Sequence, residues 1–290
     1  MKKIITTIIL CFGLLMPTVA QNADRTTADP TVNRHGVSLL PQAGDFAIGI
    51  DATPFFRYLG GFMGGNSSNL VPQFEGFNQT IYAKYFLQDN AAIRAKINLN
   101  LMQVRHKYAV RDDFAQTADP TNVAATVFDT EIFSNNGFNL ALGYELRRGR
   151  GRVQGFYGAE MFLGIGRERS RFQYGNPITE ANQTPSTHPG FVGGVLQGYR
   201  MLERNGGTHF NIGLGGFVGI EYFFAPQISI GGEVGLGFAY HIIGQDEFVT
   251  EGFLGSGVQE FRYRGRNNDF DFYAGLRTRT SGSIFIMFHF

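Results

Sequence analysis

Strict alternation of apolar and polar residues constrains the fold of this chain more than any other feature of its sequence. In residues 92–101, AIRAKINLNL, apolar side chains alternate with arginine, lysine and asparagine. Successive side chains of a β-strand point to opposite faces of the sheet. The segment therefore predicts a strand with one apolar and one polar face. The 29 phenylalanines and 12 tyrosines also favour strands.

The alternation recurs along the chain and predicts eight strands, whose approximate ranges are 45–57, 76–88, 91–104, 133–147, 152–167, 207–224, 227–243 and 279–290. Turn-like sequences connect them at 88–90, 148–151 and 225–226, and long polar stretches connect them at 58–75, 105–132, 168–206 and 244–278. Short turns on one side and long loops on the other are typical of outer-membrane barrels. We therefore expect an all-β fold, an eight-stranded antiparallel up-and-down transmembrane β-barrel over residues 45–290, with short periplasmic turns and long extracellular loops.

The polar faces of these strands distinguish a membrane barrel from a soluble sandwich or lipocalin-like barrel, in which the apolar face points inward. They are rich in glycine, which suits the crowded interior of a small barrel. They also carry five acidic and five basic residues: Asp51, Lys84, Arg94, Lys96, Glu145, Arg147, Glu160, Glu221, Glu233 and Arg279. A buried charge is costly unless it is paired. Because the two signs are equal in number, we expect a salt-bridged lumen rather than an open pore, with the apolar faces toward lipid.

The N-terminus has the pattern of a secretory signal peptide. Two lysines precede a mostly apolar stretch at 4–16, and small residues follow up to Ala20. The alternatives fit less well: a membrane anchor needs about 20 apolar residues, and Leu10 before Cys11 departs from a lipoprotein signal. We expect Sec-dependent export to the cell outer membrane, cleavage after Ala20, and a flexible periplasmic segment at 21–44.

Cleavage after Ala20 removes two lysines and the only cysteine, which leaves 23 basic and 24 acidic residues and excludes disulfides. A nucleic-acid partner favours a basic surplus, so we expect none. Outer-membrane lipid and lipopolysaccharide are the expected surroundings of the apolar faces.

The chain ends in a second alternating pattern. Ile284, Ile286, Phe288 and Phe290 share one face, and Ser283, Phe285, Met287 and His289 share the other. A terminal aromatic after alternating hydrophobic residues resembles the signal by which the barrel-assembly machinery recognises outer-membrane proteins. The alternative is an ordinary last strand.

Four segments carry a resemblance to a known family: LLPQAGDFAIGIDATPFFRYLG (39–60), YFLQDNAAIRAKI (85–97), GYELRRGRGRVQGFYGAE (143–160) and GIEYFFAPQISIGGEVGLG (219–237). They resemble the small outer-membrane β-barrel proteins common in Bacteroidetes, whose architecture is similar to the OmpA/OmpX-type barrels. The resemblance implies an eight-stranded barrel in the outer membrane. It implies no defined activity, and we expect no peptidoglycan-binding domain of the kind that follows the OmpA barrel.

Residue patterns for catalysis or cofactor binding are weak. The glycine-rich GGFMGG at 60–65 has no following Lys-Ser or Lys-Thr, and the six histidines are scattered. We therefore predict no cofactor, no metal and no enzyme, but a structural or interaction role through the extracellular loops. Two alternatives stay open. One is an accessory subunit of an envelope assembly or secretion machine, with a protein partner at the aromatic-rich segments 190–202 and 247–265. The other is a lipid A-modifying enzyme that uses His209 and His241.

Overall fold

The computed structural model describes residues 38–56, 79–189, 199–255, 257–265, 269–275 and 282–290. Its strands form one antiparallel sheet of twelve: β1 Phe46–Asp51, β2 Gln79–Gln88, β3 Ala91–Arg111, β4 Thr126–Arg150, β5 Val153–Gln173, β6 Tyr199–Asn205, β7 His209–Ala225, β8 Ile228–Ile243, β9 Glu247–Leu254, β10 Gly257–Arg264, β11 Asp269–Gly275 and β12 Gly282–His289. A helix, α1, spans Asp113–Ala118, and one helical turn spans 53–56. The predicted signal peptide, the loop at 58–75 and Arg279 lie outside the described residues.

Eight of these strands pair in a closed cycle, which we call the ring. Its order is β1, β2, β3, β4, β5, β7, β8 and β12, and β12 then pairs with β1. The ring closes through Phe46 and Phe290, whose backbone amides and carbonyls exchange two hydrogen bonds of 3.0 and 2.7 Å. These are the eight strands that the alternation predicts, so the all-β antiparallel fold is confirmed, with four further strands beyond the ring.

Two-residue turns connect the ring strands at one end. They lie at Asp89–Asn90, Gly151–Arg152 and Pro226–Gln227, close to the three predicted turns. Gly151 and Gln227 have φ angles of 64° and 63°, a left-handed conformation that tight turns require and that glycine adopts without strain. Both β1 and β12 also have an end at this side of the ring, because Ala47 pairs with His289.

The two faces of the ring differ sharply. Large apolar side chains are exposed on the outer face, among them Ile48, Ile50, Ile81, Ile93, Ile97, Leu99, Phe138, Leu142, Ile165, Leu214, Val218, Ile220, Leu236 and Phe238. Charged and aromatic side chains are buried on the inner face. A water-soluble barrel has the opposite arrangement. The ring therefore presents its apolar surface outward and keeps its ionisable groups inside.

β3, β4 and β5 continue far past the ring, and together with β6, β9 and β10 they form what we call the extension. β2 pairs with β3 only as far as Leu99, and β7 pairs with β5 only as far as Gly166. Beyond these points, on the side away from the short turns, β3, β4 and β5 remain paired with one another. There β6 pairs with β5, β9 pairs with β6, and β10 pairs with β9. β11 pairs separately with the upper part of β8.

The extension corrects the prediction of long loops at 105–132, 168–206 and 244–278, since all three stretches contain strands. The reason lies in their side chains. In the upper half of β3, QVRHKYAVR (103–111), the two faces exchange character. The face that carries Leu99 lower in the strand now carries Gln103, Arg105, Lys107 and Arg111, and the other face carries Val104, Tyr108 and Val110. The pattern with an outward apolar face therefore ends although the backbone stays extended. The pairing continues because β4 supplies a partner at every position up to Arg111. The hairpin of β9 and β10 shows that the aromatic-rich segment 247–265 is largely strand.

The segment before β1 is partly fastened to the ring. The Gly44 amide donates to the Phe86 carbonyl at 2.8 Å, and the Ala43 amide donates to Asp89 Oδ1 at 3.0 Å. Leu39 is buried. The last residues of the stretch that we expected to be flexible, 38–44, are thus in contact with the end of the ring that carries the short turns. In the described part of the chain, no helix is long and apolar enough to cross a membrane.

Candidate functional site: the charged interior of the ring

Eight ionisable side chains from six strands meet inside the ring, and we call them the charge cluster. Four are basic and four are acidic: Lys84, Arg94, Lys96, Arg147, Glu145, Glu160, Glu221 and Glu233. They point inward because each lies on the polar face of its strand. Glu145 and Glu221 are 0% exposed, and Lys84 and Arg94 are 2% exposed. The cluster therefore excludes solvent at its centre.

The half of the cluster nearest the short turns is centred on Glu221. Arg147 Nη2 donates to Glu221 Oε2 at 2.5 Å, and Lys84 Nζ lies 3.4 Å from the same oxygen. Lys84 Nζ also donates to Glu145 Oε1 at 2.9 Å. These contacts join β2, β4 and β7, which are not neighbours in the ring.

The other half is centred on Arg94 and Glu233. Arg94 Nη2 donates to Glu233 Oε2 at 2.6 Å, and Lys96 Nζ donates to Glu233 Oε1 at 3.0 Å. Lys96 Nζ also donates to Glu160 Oε1 at 2.7 Å. Arg94 Nη1 lies 3.4 Å from Glu145 Oε2, so the two halves form one connected network.

Aromatic rings enclose the buried cations. Lys84 Nζ lies 4.7 Å from the ring centroid of Phe156 and 5.3 Å from that of Phe285. The guanidinium of Arg94 lies 3.9 Å from the ring centroid of Phe217. The faces of aromatic rings attract cations, and this attraction is stronger away from water. The rings thus offset part of the cost of burying positive charge, in addition to the carboxylates.

Inward-facing glycines leave room for these rings. A side chain on Gly219 would collide with the ring of Phe156, and one on Gly231 would collide with the ring of Phe285. Gly219 of β7 pairs with Phe156 of β5, and Gly231 of β8 pairs with Phe285 of β12, so each glycine is the cross-strand neighbour of the aromatic ring that it accommodates. An eight-stranded ring encloses a space that side chains just fill, which explains the need for the smallest residue beside the largest ones.

Two further side chains, Ser229 and His289, complete the site, although the sequence analysis did not assign them to it. Ser229 Oγ donates to Glu221 Oε1 at 2.5 Å, and His289 Nε2 lies 3.0 Å from Ser229 Oγ and 3.3 Å from Glu221 Oε1. Both side chains occupy inward positions of their strands, which is the signal that could have identified them. His289 was considered only as part of the apolar C-terminal strand.

Two further residues, Asp51 and Arg279, were predicted to lie in the lumen beside the charge cluster. Asp51 lies at the end of β1, and its carboxylate accepts a hydrogen bond from the Thr53 amide at 2.8 Å. Among the described residues it makes no ion pair with the charge cluster, and its place in the network stays a prediction. Arg279 lies outside the described residues. The four residues predicted as an assembly signal, Ile284, Ile286, Phe288 and Phe290, lie on the outer face of β12, opposite the buried Phe285, Met287 and His289.

The serine, histidine and glutamate at 229, 289 and 221 do not have the geometry of a catalytic triad. In a triad the acid and the nucleophile contact different nitrogens of the imidazole. Here both contact Nε2, and the buried Nδ1 has no hydrogen-bond partner. His209 pairs with Ile243 and His241 with Asn211, so these histidines are not directly opposed. Among the described residues no group of three or more His, Cys, Asp or Glu side chains could hold a metal ion.

A separate polar cluster fastens residues 174–189 to the extension. Arg200 Nε donates to Glu251 Oε1 at 2.6 Å, and its guanidinium lies 4.1 Å from the ring centroid of Tyr174. Burial raises the pKa of the Tyr174 hydroxyl. Asp129 is fully buried and accepts hydrogen bonds from the Gly175 and His188 amides at 2.9 and 3.1 Å.

At the far end of this segment, Asp113 of α1 accepts hydrogen bonds from the Ser186 amide at 2.6 Å and from Asn182 Nδ2 at 2.9 Å. Burial alone would raise the pKa of the Asp113 carboxyl. The hydrogen bonds from Ser186, Asn182 and Arg111 have the larger combined effect, so the pKa lies below its ordinary value. Asp113 thereby connects α1 to residues 182–186 in its ionised form.

Comparison with known proteins gives few relatives. No family model and no curated protein matches the sequence. A solved structure that does match is the outer membrane protein OprG from Pseudomonas aeruginosa, at 10% sequence identity and a TM-score of 0.22 over 87% of this chain and 98% of that chain. We therefore base the fold and the function on the strand pairings and side-chain contacts of this chain.

Proposed function

We propose that the chain is a non-enzymatic integral outer-membrane β-barrel protein with a closed lumen, and that its role is structural or lies in interactions of the extension outside the cell. One observation carries this proposal: the ring buries its charges inside and exposes its large apolar side chains outside. Exposed apolar surface of this extent marks an interaction site or a membrane-facing surface. A band that encircles a closed antiparallel ring matches the lipid-facing surface of an outer-membrane barrel.

The height of the apolar band supports the proposal. On β5, every outward residue from Val153 to Ile165 is apolar or glycine. At about 3.4 Å per residue and a tilt near 40°, this run rises roughly 30 Å, and the hydrocarbon core of a bilayer is about 30 Å thick. Exposed Tyr85 and Tyr222 lie near the short turns. Aromatic residues of this kind favour the boundary between lipid and water, and this chain contains no tryptophan.

The charge cluster supports a closed lumen. Its ion pairs connect β2 with β7 and β3 with β8 across the interior of the ring. An aqueous channel at this level needs these side chains to separate, which leaves buried charges without partners and costs several kcal/mol. The cluster thus acts as a brace between strands that are not hydrogen-bonded to one another.

The remaining parts of the proposal rest on sequence. Export through the Sec pathway, cleavage after Ala20 and recognition of the C-terminal strand by the barrel-assembly machinery follow from the signal-like pattern at 1–20 and from the tail at 284–290. The motifs at 143–160 and 219–237 support membership among the small barrels that occur in Bacteroidetes. In this orientation the extension stands on the extracellular side, beside lipopolysaccharide.

Two measurements test the proposal. Cell fractionation should place the protein in the outer membrane, with a mature N-terminus at Gln21. Purified protein in planar bilayers should give small or no single-channel conductance. A protein found in the cytoplasm or inner membrane contradicts the location, and a large, stable conductance like that of a porin contradicts the closed lumen.

A second candidate function is that of an accessory subunit in an envelope assembly. It is favoured by β10, which lies at the end of the strand order and has exposed residues along most of its length. An open strand edge is a template for pairing with another chain. Purification in mild detergent distinguishes the two candidates, since a subunit should retain a stoichiometric partner that is lost when β10 is altered by Gln259→Pro.

A further inference from the structure

The outer face of β3, β4 and β5 contains a concave, strongly basic surface just above the apolar band. It has a volume of about 460 Å³, and the residues that line it include Gln103, Arg105, Ser134, Arg167, Arg169 and Arg171. Four arginines on one face are unusual for a position so close to a continuous apolar surface. We call this surface the arginine groove.

The strand register fixes the height of the arginine groove. The row Leu99, Phe138 and Ile165 is the last in which all three strands present exposed apolar side chains. The next outward row contains Arg167, the following one Arg169, and the one after that pairs Arg105 and Arg171 with Ile132 between them. If the apolar band is immersed in lipid, as proposed above, the arginines lie at the level of the lipid headgroups.

The charges of the groove are only partly neutralised. Arg169 donates two hydrogen bonds to the Glu203 carboxylate, at 2.9 and 2.7 Å, and Arg171 Nε lies 3.7 Å from the same carboxylate. Within the described part of the chain, Arg105 and Arg167 make no ion pair. Both side chains are exposed. The groove thus holds four guanidinium groups against one carboxylate, which leaves a surplus of three positive charges.

Guanidinium groups are well suited to bind phosphate. Each one offers parallel N–H donors that bind two phosphate oxygens at once, and such charge-assisted hydrogen bonds are short and strong. Arginine also remains charged at any physiological pH. A ligand with two phosphates spaced along its headgroup can therefore contact Arg105 and Arg167 together.

We propose that the arginine groove binds the phosphorylated headgroup of an outer-leaflet glycolipid of the lipid A type. The inference rests on the proposed membrane location. Continuity with the apolar band identifies a lipid as the occupant rather than a soluble phosphate: acyl chains attached to a headgroup in the groove lie along Leu99, Phe138 and Ile165. Binding at this site adds a lipid ligand to the proposed function, because it anchors the wall of the extension in the lipid layer that surrounds it.

The test uses the folded, full-length protein in detergent, titrated with bis-phosphorylated lipid A and followed by native mass spectrometry. The variant Arg105→Gln/Arg167→Gln removes two charges without breaking the Arg169–Glu203 contact. Its matched control, Arg262→Gln/Arg264→Gln on β10, removes the same charge from an exposed strand away from the groove. We expect the groove variant to lower the affinity by about tenfold or more, since each lost contact is a charge-assisted hydrogen bond. The control should stay within about twofold of the wild type.

Further titrations separate the possible occupants. Lipid A without phosphates should bind the wild type as weakly as lipid A binds the groove variant. Inorganic phosphate at equal concentration should not displace the lipid. Equal losses in both variants, unchanged binding in the groove variant, or full displacement by inorganic phosphate each overturn the inference. A wild-type protein that inserts into bilayers but shows one of these results contradicts only the groove, whereas a protein that does not insert contradicts the proposed function itself.

Discussion

Arg94 and Glu233 form an ion pair across the interior of the ring. The Nη2 atom of Arg94 lies 2.6 Å from Oε2 of Glu233, although the two residues are 139 positions apart on β3 and β8. Glu233 also accepts a hydrogen bond from Lys96 at 3.0 Å. Loss of this one carboxylate leaves two cations of β3 without their shared partner on β8.

Replacement of this carboxylate should therefore be strongly destabilising. We expect Glu233→Ala to lower the free energy of unfolding by about 3–5 kcal/mol, the range for breaking a buried ion pair. Chemical unfolding in lipid vesicles, followed by circular dichroism, measures the change. The matched control is Glu247→Ala, which removes a partly exposed carboxylate 3.6 Å from Arg262 on the extension, where a pair contributes about 0–1 kcal/mol. Equal, small effects of the two substitutions indicate a water-filled lumen instead.

The C-terminal residue should matter for assembly more than for stability. Phe290 is 67% exposed and contacts β1 through two backbone hydrogen bonds that any residue can make. We expect Phe290→Ala to lower the folded fraction in cells, measured as the heat-modifiable band on semi-native gels, and to leave refolding of the purified protein nearly unchanged. Phe114→Ala on α1, at a side chain that is 82% exposed, serves as the control. If a Phe290 variant assembles normally in cells, β12 is an ordinary last strand and not an assembly signal.

The sequence predicts the interior of the ring better than the extension. Arg94 and Glu233 were placed inside because each lies on the polar face of an alternating strand, and the two faces follow from the strand period alone. Their pairing could not be predicted, since it depends on how the sheet closes and which strands face each other. The hydrogen bond from the Thr53 amide to Asp51 is likewise a local contact that the strand period does not predict.

The extension was missed for a different reason. In the upper half of β3 the phase of the alternation reverses, so Arg105 lies on the face that Leu99 makes apolar lower in the same strand. What keeps this part of β3 extended is the partner strand, for example the pairing of Arg105 with Ile132. Such pairing is a long-range property that a local sequence pattern does not contain.

The contact between α1 and residues 182–186 should depend on pH. The pKa of Asp113 is lower in the folded protein than its ordinary value, because the hydrogen bonds from Ser186, Asn182 and Arg111 favour the ionised form. A lowered pKa means that this contribution to stability is present at neutral pH and is lost as the pH falls through the folded-state pKa, below the usual carboxylate value of about 4. Hydrogen exchange of the Ser186 amide, corrected for its intrinsic rate, should increase over that interval.

Two substitutions check the origin of this pH dependence. Asp113→Asn should make the Ser186 amide exchange faster at neutral pH and remove the step at low pH. Asp119→Asn is the control, since the Asp119 carboxylate accepts hydrogen bonds from Thr121 in its own turn and from no residue of 182–186. A step that persists in the Asp113 variant shows that another group controls the contact.

The direction in which the apolar face of the ring points is the central claim, and a matched pair of substitutions tests it most directly. Val218 on β7 is 61% exposed within the apolar band, and Val258 on β10 is 46% exposed in the extension. A cation on the lipid face of a barrel costs about 2–4 kcal/mol near the bilayer midplane, whereas an exposed valine in water can be replaced at little cost, about 0.5 kcal/mol or less. We expect Val218→Arg to lower the free energy of unfolding in lipid vesicles by that larger amount and Val258→Arg to leave it almost unchanged. Two small and equal effects would show that the ring faces water and would contradict a membrane-spanning barrel.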